Sequence, residues 1–263
     1  MDLGLGGRVA LVGGSSAGLG RAIAARLAAE GARVAVNGRD AAKADRTAEA
    51  IRSETGGDAV AFAADLSDPG QAAATVGAVA ARFGRLDILV CNTGGPPPTS
   101  FAEAPAEAWQ RALELNLLST IHLCRAAVPL MRRARWGRVV CLTSLAARQP
   151  LPNLILSSTA RAGVLGFAKC LADEVAPDGV LVTVVCPGYF RTDRVAQMAA
   201  ARAQREGKTP DAILSEQLGA TPLGRMGEPE ELASVVAFLA SERASYITGA
   251  VLAVDGGRLR SID

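Results

Sequence analysis

The 263-residue chain is poor in aromatic residues, with six Phe, two Trp and two Tyr, 4% in all. So sparse a set cannot supply the stacking platforms that hold single-stranded nucleic acid. Net charge is low as well, +2 from 28 Lys and Arg against 26 Asp and Glu. The one basic cluster, Arg132-Arg133-Ala134-Arg135, is placed to end a helix, where cations complement the dipole. No nucleic-acid partner is expected. Five cysteines (Cys91, Cys124, Cys141, Cys170 and Cys186) are scattered without a C-x-x-C pair or metal-ligand spacing. They read as reduced, mostly buried thiols of a cytoplasmic protein without a metal. No apolar run approaches the ~20 residues that span a bilayer, and no basic segment leads into a long apolar one near residue 1. Neither a membrane span nor a signal peptide is expected.

What the chain has is apolar residues, 49% of the total, enough for a sheet covered on both faces. Short runs rich in β-formers at 9–12, 34–36, 59–63, 86–90, 138–142, 180–185 and 251–254 predict seven strands. Helical stretches alternate with them at 21–30, 40–53, from a cap at Asp68 to about 83, and at 109–131, 155–175 and 230–239. This alternation implies a parallel sheet with right-handed crossovers. No composition break, repeat or linker divides the chain, so 1–263 is read as one domain. One stretch, 191–222, is polar and alanine-rich and is expected to be a helical lid over the site. A plain solvated connection is the competing reading.

The chain is organised around Gly14-Ser15-Ser16-Ala17-Gly18-Leu19-Gly20, which follows the first strand and opens the first helix. Glycines let a backbone approach phosphates, and a helix N-terminus offers free N–H groups and the positive end of a dipole. The spacing is Gly14-x-x-x-Gly18-x-Gly20 rather than G-x-G-x-x-G, so the turn alone is weak evidence for a dinucleotide. The other strand ends strengthen it. They carry Gly38-Arg39, Asp65, Asn92, Ser144 and Pro187-Gly188, a polar row where open parallel sheets bind ligands. The predicted fold is a single-domain, Rossmann-type, doubly wound α/β sheet of seven parallel strands with helices on both faces. After the second strand an NAD enzyme would place an acid for the ribose 2′-OH; this chain has Gly38 and then Arg39. A cation beside open space suits a 2′-phosphate, which favours NADP over NAD; a solvated surface arginine is the competing reading. Asp65 is expected to bond the adenine amino group, with a structural cap as its competing use, and Asn92 and Gly94 to line the cofactor.

Together these residues resemble the short-chain dehydrogenase/reductase family, in particular its 3-oxoacyl-carrier-protein-reductase-like branch. The glycine turn, with Ser16 and Leu19 inside it, is similar to the family's cofactor turn. Asp65-Leu66 resembles its adenine motif and Asn92-Thr93-Gly94 its fourth-strand motif. Asn116 sits where the family's helix asparagine holds a proton-relay water, and Ser144 where its serine meets the substrate carbonyl. Pro187-Gly188 and Thr192 resemble its nicotinamide-side loop. Pro222-Leu223-Gly224-Arg225-Met226-Gly227 and Val254-Asp255-Gly256-Gly257 are similar almost letter for letter. The resemblance implies NADP(H), a small carbonyl or alcohol substrate, and a homotetramer or homodimer.

The departures bear on the chemistry. Gly13 replaces the usual threonine, and the catalytic Tyr-x-x-x-Lys falls on Ser157-Ser158-Thr159-Ala160-Arg161. The two tyrosines, Tyr189 and Tyr246, lie elsewhere. A phenol near pKa 10 can be brought toward neutrality by a lysine; a serine hydroxyl is a much weaker acid. Arg161 would remain cationic and could bind the nicotinamide ribose, but gives up no proton at working pH. The resulting expectation is an oxidoreductase with catalytic positions Asn116, Ser144, Ser157 and Arg161, its proton coming from water, the substrate, or Tyr189 on the loop beside the nicotinamide. The alternatives are an NADP(H)-binding protein without turnover, and lyase or isomerase chemistry in the same pocket. The only histidine, His122, lies six residues after Asn116, off its helix face, and reads as structural. Arg148 and Gln149, just after Ser144, reach either a substrate carboxylate or phosphate, or plain surface.

Overall fold

A computed structural model describes residues 1–262. From the N-terminus, β1 (Val9–Val12) runs through the glycine turn into α1 (Gly18–Ala29). β2 (Arg33–Gly38), α2 (Ala41–Thr55), β3 (Ala59–Ala63) and α3 (Pro69–Phe83) follow. Then come β4 (Ile88–Cys91), α4 (Ala106–Leu113), α5 (Ser119–Ala134) and β5 (Gly137–Leu142). The chain continues through α6 (Ile155–Val175), β6 (Val180–Pro187), α7 (Asp193–Glu206), α8 (Pro210–Gly219), α9 (Pro229–Leu239) and β7 (Val251–Val254).

The sheet has the order β3-β2-β1-β4-β5-β6-β7, and every pairing is parallel. Strand order reverses between β1 and β4, which opens a crevice at their carboxyl ends. β1, β4 and β5 are buried at every position, which is why β1 and β4 read as unbroken apolar runs rather than alternating ones and β5 as one broken only by Arg138. Successive β1 residues serve opposite faces: Ala10 and Val12 pack with Ile23 and Leu27 of α1 and Leu232 and Val236 of α9. Val9 and Leu11 pack with Val76 and Val79 of α3, Leu123 and Met131 of α5, and Val164 of α6. The expected doubly wound sheet of seven strands is therefore what the chain forms. Asp68 caps α3 as expected, its Oδ1 accepting from Gln71 N at 2.7 Å.

Two elements differ from the expectation. The helix predicted over 109–131 is broken into α4 and α5 by a wide π turn, Glu114–Leu118. Apolar residues keep their spacing through the break, so periodicity does not reveal it, and the turn carries Asn116 inward. β2 also runs past 36 to Gly38, because Asn37 and Gly38 still pair with Phe62 and Ala63.

At the opposite, amino end of the sheet, Asp87 is buried and ties β1 to β4. Its Oδ2 accepts from Val9 N at 2.8 Å and from Arg85 Nε at 2.7 Å, and its Oδ1 from Arg8 Nη1 at 3.4 Å. Replacing Asp87 by Ala strands the buried Val9 N–H, while Arg8 keeps Glu242 and Arg85 keeps access to water. Urea unfolding should show the chain about 1–3 kcal/mol less stable, the cost of leaving a buried donor unsatisfied. An unchanged midpoint would contradict this role.

Candidate active site

The glycine turn sits at the switch point. Gly14 has φ 53° and Gly18 φ 54°, left-handed values that favour glycine. Gly20 is fixed by space: a Cβ there would lie 2.4 Å from Gly14 O and 2.8 Å from Asn92 Nδ2. Two residues that sequence reasoning missed brace the turn from below. Ser15 Oγ donates to Val12 O at 2.6 Å and accepts from Asn37 N at 2.9 Å. Asn37 Oδ1 accepts from Gly14 N at 3.1 Å, while its Nδ2 donates to Phe62 O and Ala64 O at 3.1 and 3.3 Å. The available signal was a polar residue near the end of an otherwise apolar strand, since such a group must find partners when buried. Asn92 holds the turn from the β4 side, its Nδ2 donating to Gly13 O at 2.9 Å and Gly14 O at 3.3 Å. At Gly13 a Cβ would stand 2.8 Å from Asn92 O, so the end of β4 lies too close for a threonine without adjustment.

A cavity of about 530 Å³ opens beyond the carboxyl ends of β1, β4, β5 and β6. The turn contributes Gly14, Gly18, Leu19 and Gly20, and the end of β4 contributes Asn92 and Gly94. From β5 and α6 come Ser144, Ser157 and Arg161; beyond β6 come Pro187, Gly188 and Thr192. Such a volume is ordinary for a small-molecule or cofactor site.

Five expected site residues do not line this cavity: Ser16, Arg39, Asp65, Leu66 and Asn116. Ser16 lies against Gly38, its Oγ 2.7 Å from where a Cβ would stand, and Arg39 is exposed at the end of β2. Asp65 Oδ1 accepts from Ser67 Oγ at 2.6 Å and Ser67 N at 3.0 Å. The Ser67 hydroxyl first, then its N–H and the charge of Arg39, hold the Asp65 carboxyl below its usual pKa, against the effect of burial. Leu66 is buried against the Gly13 backbone. Asn116 sits behind Gly94, its Nδ2 donating to Thr93 Oγ1 at 2.9 Å and Gly94 O at 2.7 Å. Its Oδ1 is buried without a partner among the described residues.

Ser157 and Arg161 stand one helical turn apart on α6, each 8% exposed. Arg161 Nη1 donates to Leu142 O at 3.2 Å and Thr143 O at 2.8 Å, immediately before Ser144. Burial above all pushes the Arg161 pKa down to about 10; Cys186 opposes this and Arg194 adds to it. The group is still a cation at neutral pH. Ser144 Oγ accepts from Ala146 N at 3.1 Å.

Tyr189 does not join these residues. It lines a separate recess of about 110 Å³ with Leu223 and Arg225, and the Arg258 guanidinium lies 4.9 Å from its ring centre. The expectation that it stands by as a proton donor is corrected, because the backbone after β6 carries it into that recess and not into the cavity that Ser144 and Ser157 line. Gln149 and Arg148 are engaged by the C-terminal segment, Gln149 Oε1 accepting from Arg260 N at 3.3 Å and Arg148 Nη2 donating to Ser261 Oγ at 3.4 Å. The stretch 191–222 is helical, as expected, forming α7 and α8 around a small core of Ala199, Ala203 and Ile213. It reaches the turn through Thr192, whose methyl lies 3.8 Å from a Cβ position on Gly18. On the far side Arg194 Nη2 donates to Gly95 O at 3.1 Å and Pro96 O at 3.0 Å.

Comparison with known proteins agrees with this geometry. Residues 14–258 match the family described as Enoyl-(Acyl carrier protein) reductase. The chain is 37% identical over 251 residues to the 3-oxoacyl-[acyl-carrier-protein] reductase FabG of Escherichia coli, covering 95% of this chain and 97% of that one. It is 34% identical over 252 residues to a D-beta-hydroxybutyrate dehydrogenase of Rhizobium meliloti, covering 95% and 98%. Among solved structures, L-sorbose reductase of Gluconobacter frateurii, complexed with NADPH and L-sorbose, is similar at a TM-score of 0.95 and 34% identity, with 100% of both chains covered.

Proposed function

The chain belongs to the short-chain dehydrogenase/reductase family, in its 3-oxoacyl-carrier-protein-reductase-like branch, and from that premise we propose that it binds NADP(H) and interconverts a small carbonyl compound with its alcohol. The observation that carries the reading is that the glycine turn and Ser144 open onto one cavity. The residues fit a dinucleotide. A Cβ on Gly94 would meet nothing within 4 Å, and one on Gly18 only Thr192, so room is left above a turn whose Gly20 admits no side chain. Gly14, Ser16, Gly18, Leu19 and Gly20 would hold the pyrophosphate with their main chain and the start of α1. Asp65 and Leu66 would take the adenine, Asn92 and Gly94 the middle of the cofactor, Arg161 the nicotinamide ribose, and Pro187, Gly188 and Thr192 the nicotinamide. The cofactor supplies the hydride.

Ser144 orients the substrate by donating to its carbonyl oxygen, and the uncommitted Oδ1 of Asn116 holds a water in reach of α6. Ser157 contributes a hydroxyl of weak acidity, so the proton comes through water or from the substrate. Calorimetry with NADPH and NADH, followed by turnover on a carbonyl panel, tests the reading. NADPH should bind more tightly, and Ser144→Ala should abolish turnover; binding of neither nucleotide overturns the reading. Arg39 provides a separate check. A charge-assisted contact to the 2′-phosphate contributes about 1.5–3 kcal/mol, so Arg39→Ala should weaken NADPH roughly 10- to 100-fold and leave NADH nearly unchanged. Equal losses for both nucleotides would place Arg39 outside the phosphate site.

A second reading, binding without turnover, is favoured by Ser157 and Arg161 at the positions that usually carry the proton donor and its lysine. A homo-oligomer is supported by the edge position of β7, whose Leu252 is 42% exposed, and by the full exposure of Tyr246. The five free cysteines suit the cytoplasm.

A further inference from the structure

We propose that the substrate is a short oxo or hydroxy acid whose carboxylate is clamped between Arg161 and Arg194, on the same side of the cavity as Ser144. The inference rests on the nucleotide-dependent reading above and names its substrate class; of the two N–H groups on the free Nη2 of Arg161, one serves the nicotinamide ribose and the other the carboxylate.

Arg161 is nine-tenths buried, yet no carboxylate pairs with it among the described residues. One of its terminal nitrogens is spent on the Leu142 and Thr143 carbonyls, and the other makes no hydrogen bond there. Arg194, on the first turn of α7, likewise lacks a carboxylate and gives its Nη2 only to two main-chain carbonyls, Gly95 O and Pro96 O. The free Nη2 of Arg161 and the Nη2 of Arg194 each lie 3.8 Å from one point, the place a Cβ on Gly95 would occupy. Two guanidinium groups thus converge from α6 and from the lid on a single spot inside the cavity, and both residues line it. Their mutual repulsion contributes to the lowered pKa of Arg161.

A buried, unpaired cation is costly, and a second one beside it adds to the cost, unless an anion completes the set. Guanidinium forks match carboxylates in geometry as well as charge. The carbonyls of Gly95 and Pro96 hold Arg194 in position, on a loop stiffened by Pro96-Pro97-Pro98. Because Arg161 is anchored on the two residues that precede Ser144, an acid held there would carry its carboxylate close to the carbonyl that Ser144 engages. That proximity is what points to a short acid rather than a long-chain thioester. The pyrophosphate is assigned separately, to the main chain of the Gly14–Gly20 turn.

The test is calorimetry on NADPH-loaded protein with 3-oxobutanoate, 4-oxopentanoate and phenylpyruvate, each against its neutral methyl ester. The acids should bind at least ~10-fold more tightly than their esters, the size of one charge-assisted pair. Arg194→Gln should shrink that ratio below ~3-fold while moving NADPH affinity less than ~3-fold, and Arg194→Lys should fall between. Esters binding as well as acids, or binding by neither, overturns the clamp. So does an Arg194→Gln variant that loses NADPH affinity ~10-fold with the acid-to-ester ratio intact, which would assign Arg194 to the cofactor. Failure of the underlying reading is visible separately, in the initial NADPH titration. If that fails, the same acid and ester pairs on the free protein still decide the clamp.

Discussion

Replacing Ser157 by Tyr together with Arg161 by Lys is expected to raise carbonyl reduction by about 10²- to 10⁴-fold, the usual contribution of a positioned general acid. Both positions already line the cavity one helical turn apart, so the new phenol and ammonium would sit as neighbours beside Ser144. The phenol starts near pKa 10, and the adjacent cation lowers it toward the working pH. Lysine is preferred to the resident arginine because its compact ammonium leaves room for the ring and reaches the ribose as a single donor. The change gives up the two hydrogen bonds from Arg161 to Leu142 and Thr143, so a modest loss of stability should accompany it. Turnover of a neutral ketone with saturating NADPH, measured across pH, is the appropriate readout, because the change also alters one arm of the clamp on an acid substrate. The variant should acquire a titrating acid in its profile that the parent lacks. A parent that is silent and a variant that turns over would select binding without turnover. A parent already working at ordinary enzyme rates, and unimproved by the change, would show that water or substrate donation suffices.

The second large effect concerns Gly20. Replacing it with valine places a Cβ 2.4 Å from Gly14 O and 2.8 Å from both Asn92 Nδ2 and Ser15 Cα. Those are the atoms that shape the turn, so they must move, and the main-chain N–H groups of the turn move with them. NADPH affinity should fall by at least ~100-fold, corresponding to about 2.7 kcal/mol. Alanine at Gly20 separates two opposing effects. Helix propensity alone would favour it by about 1 kcal/mol, whereas the clash lies far inside normal contact distance. The clash should win, and affinity should fall for alanine as well. Gly77→Ala is the control, since a Cβ there meets nothing within 4 Å inside α3. It should leave NADPH binding unchanged and raise stability by about 0.5–1 kcal/mol. Equal behaviour of Gly20→Ala and Gly77→Ala would mean that the turn is not a phosphate cradle.

The fold was legible in the sequence because burial writes itself locally. A strand covered on both faces must be apolar throughout, as Val9–Val12 and Ile88–Cys91 are. The alternation of such runs with helical stretches was enough to give a seven-stranded parallel sheet, and polar residues at the strand ends located the crevice. Asn116 and Tyr189 show where that kind of reading stops. Leu113, Leu117 and Ile121 still recur every four residues across the wide turn, so the π turn that carries Asn116 inward leaves no mark in that pattern. Tyr189 directly follows Gly188, and only the path of the backbone after β6 decides whether it lines the main cavity or the separate recess.

The sequence by itself therefore determined the layers, the strand alternation and the chemical types available at the crevice, because each depends on neighbours within a few residues. The tertiary structure decided the partnerships. Asn37 bracing Gly14, Asn92 holding Gly13, and Arg194 meeting carbonyls 99 and 98 residues away all join segments that touch only after the sheet has closed. Hydrogen bonds and charge pairing act over a few ångströms of space, whatever the distance along the chain, so they become readable only when the packing is known.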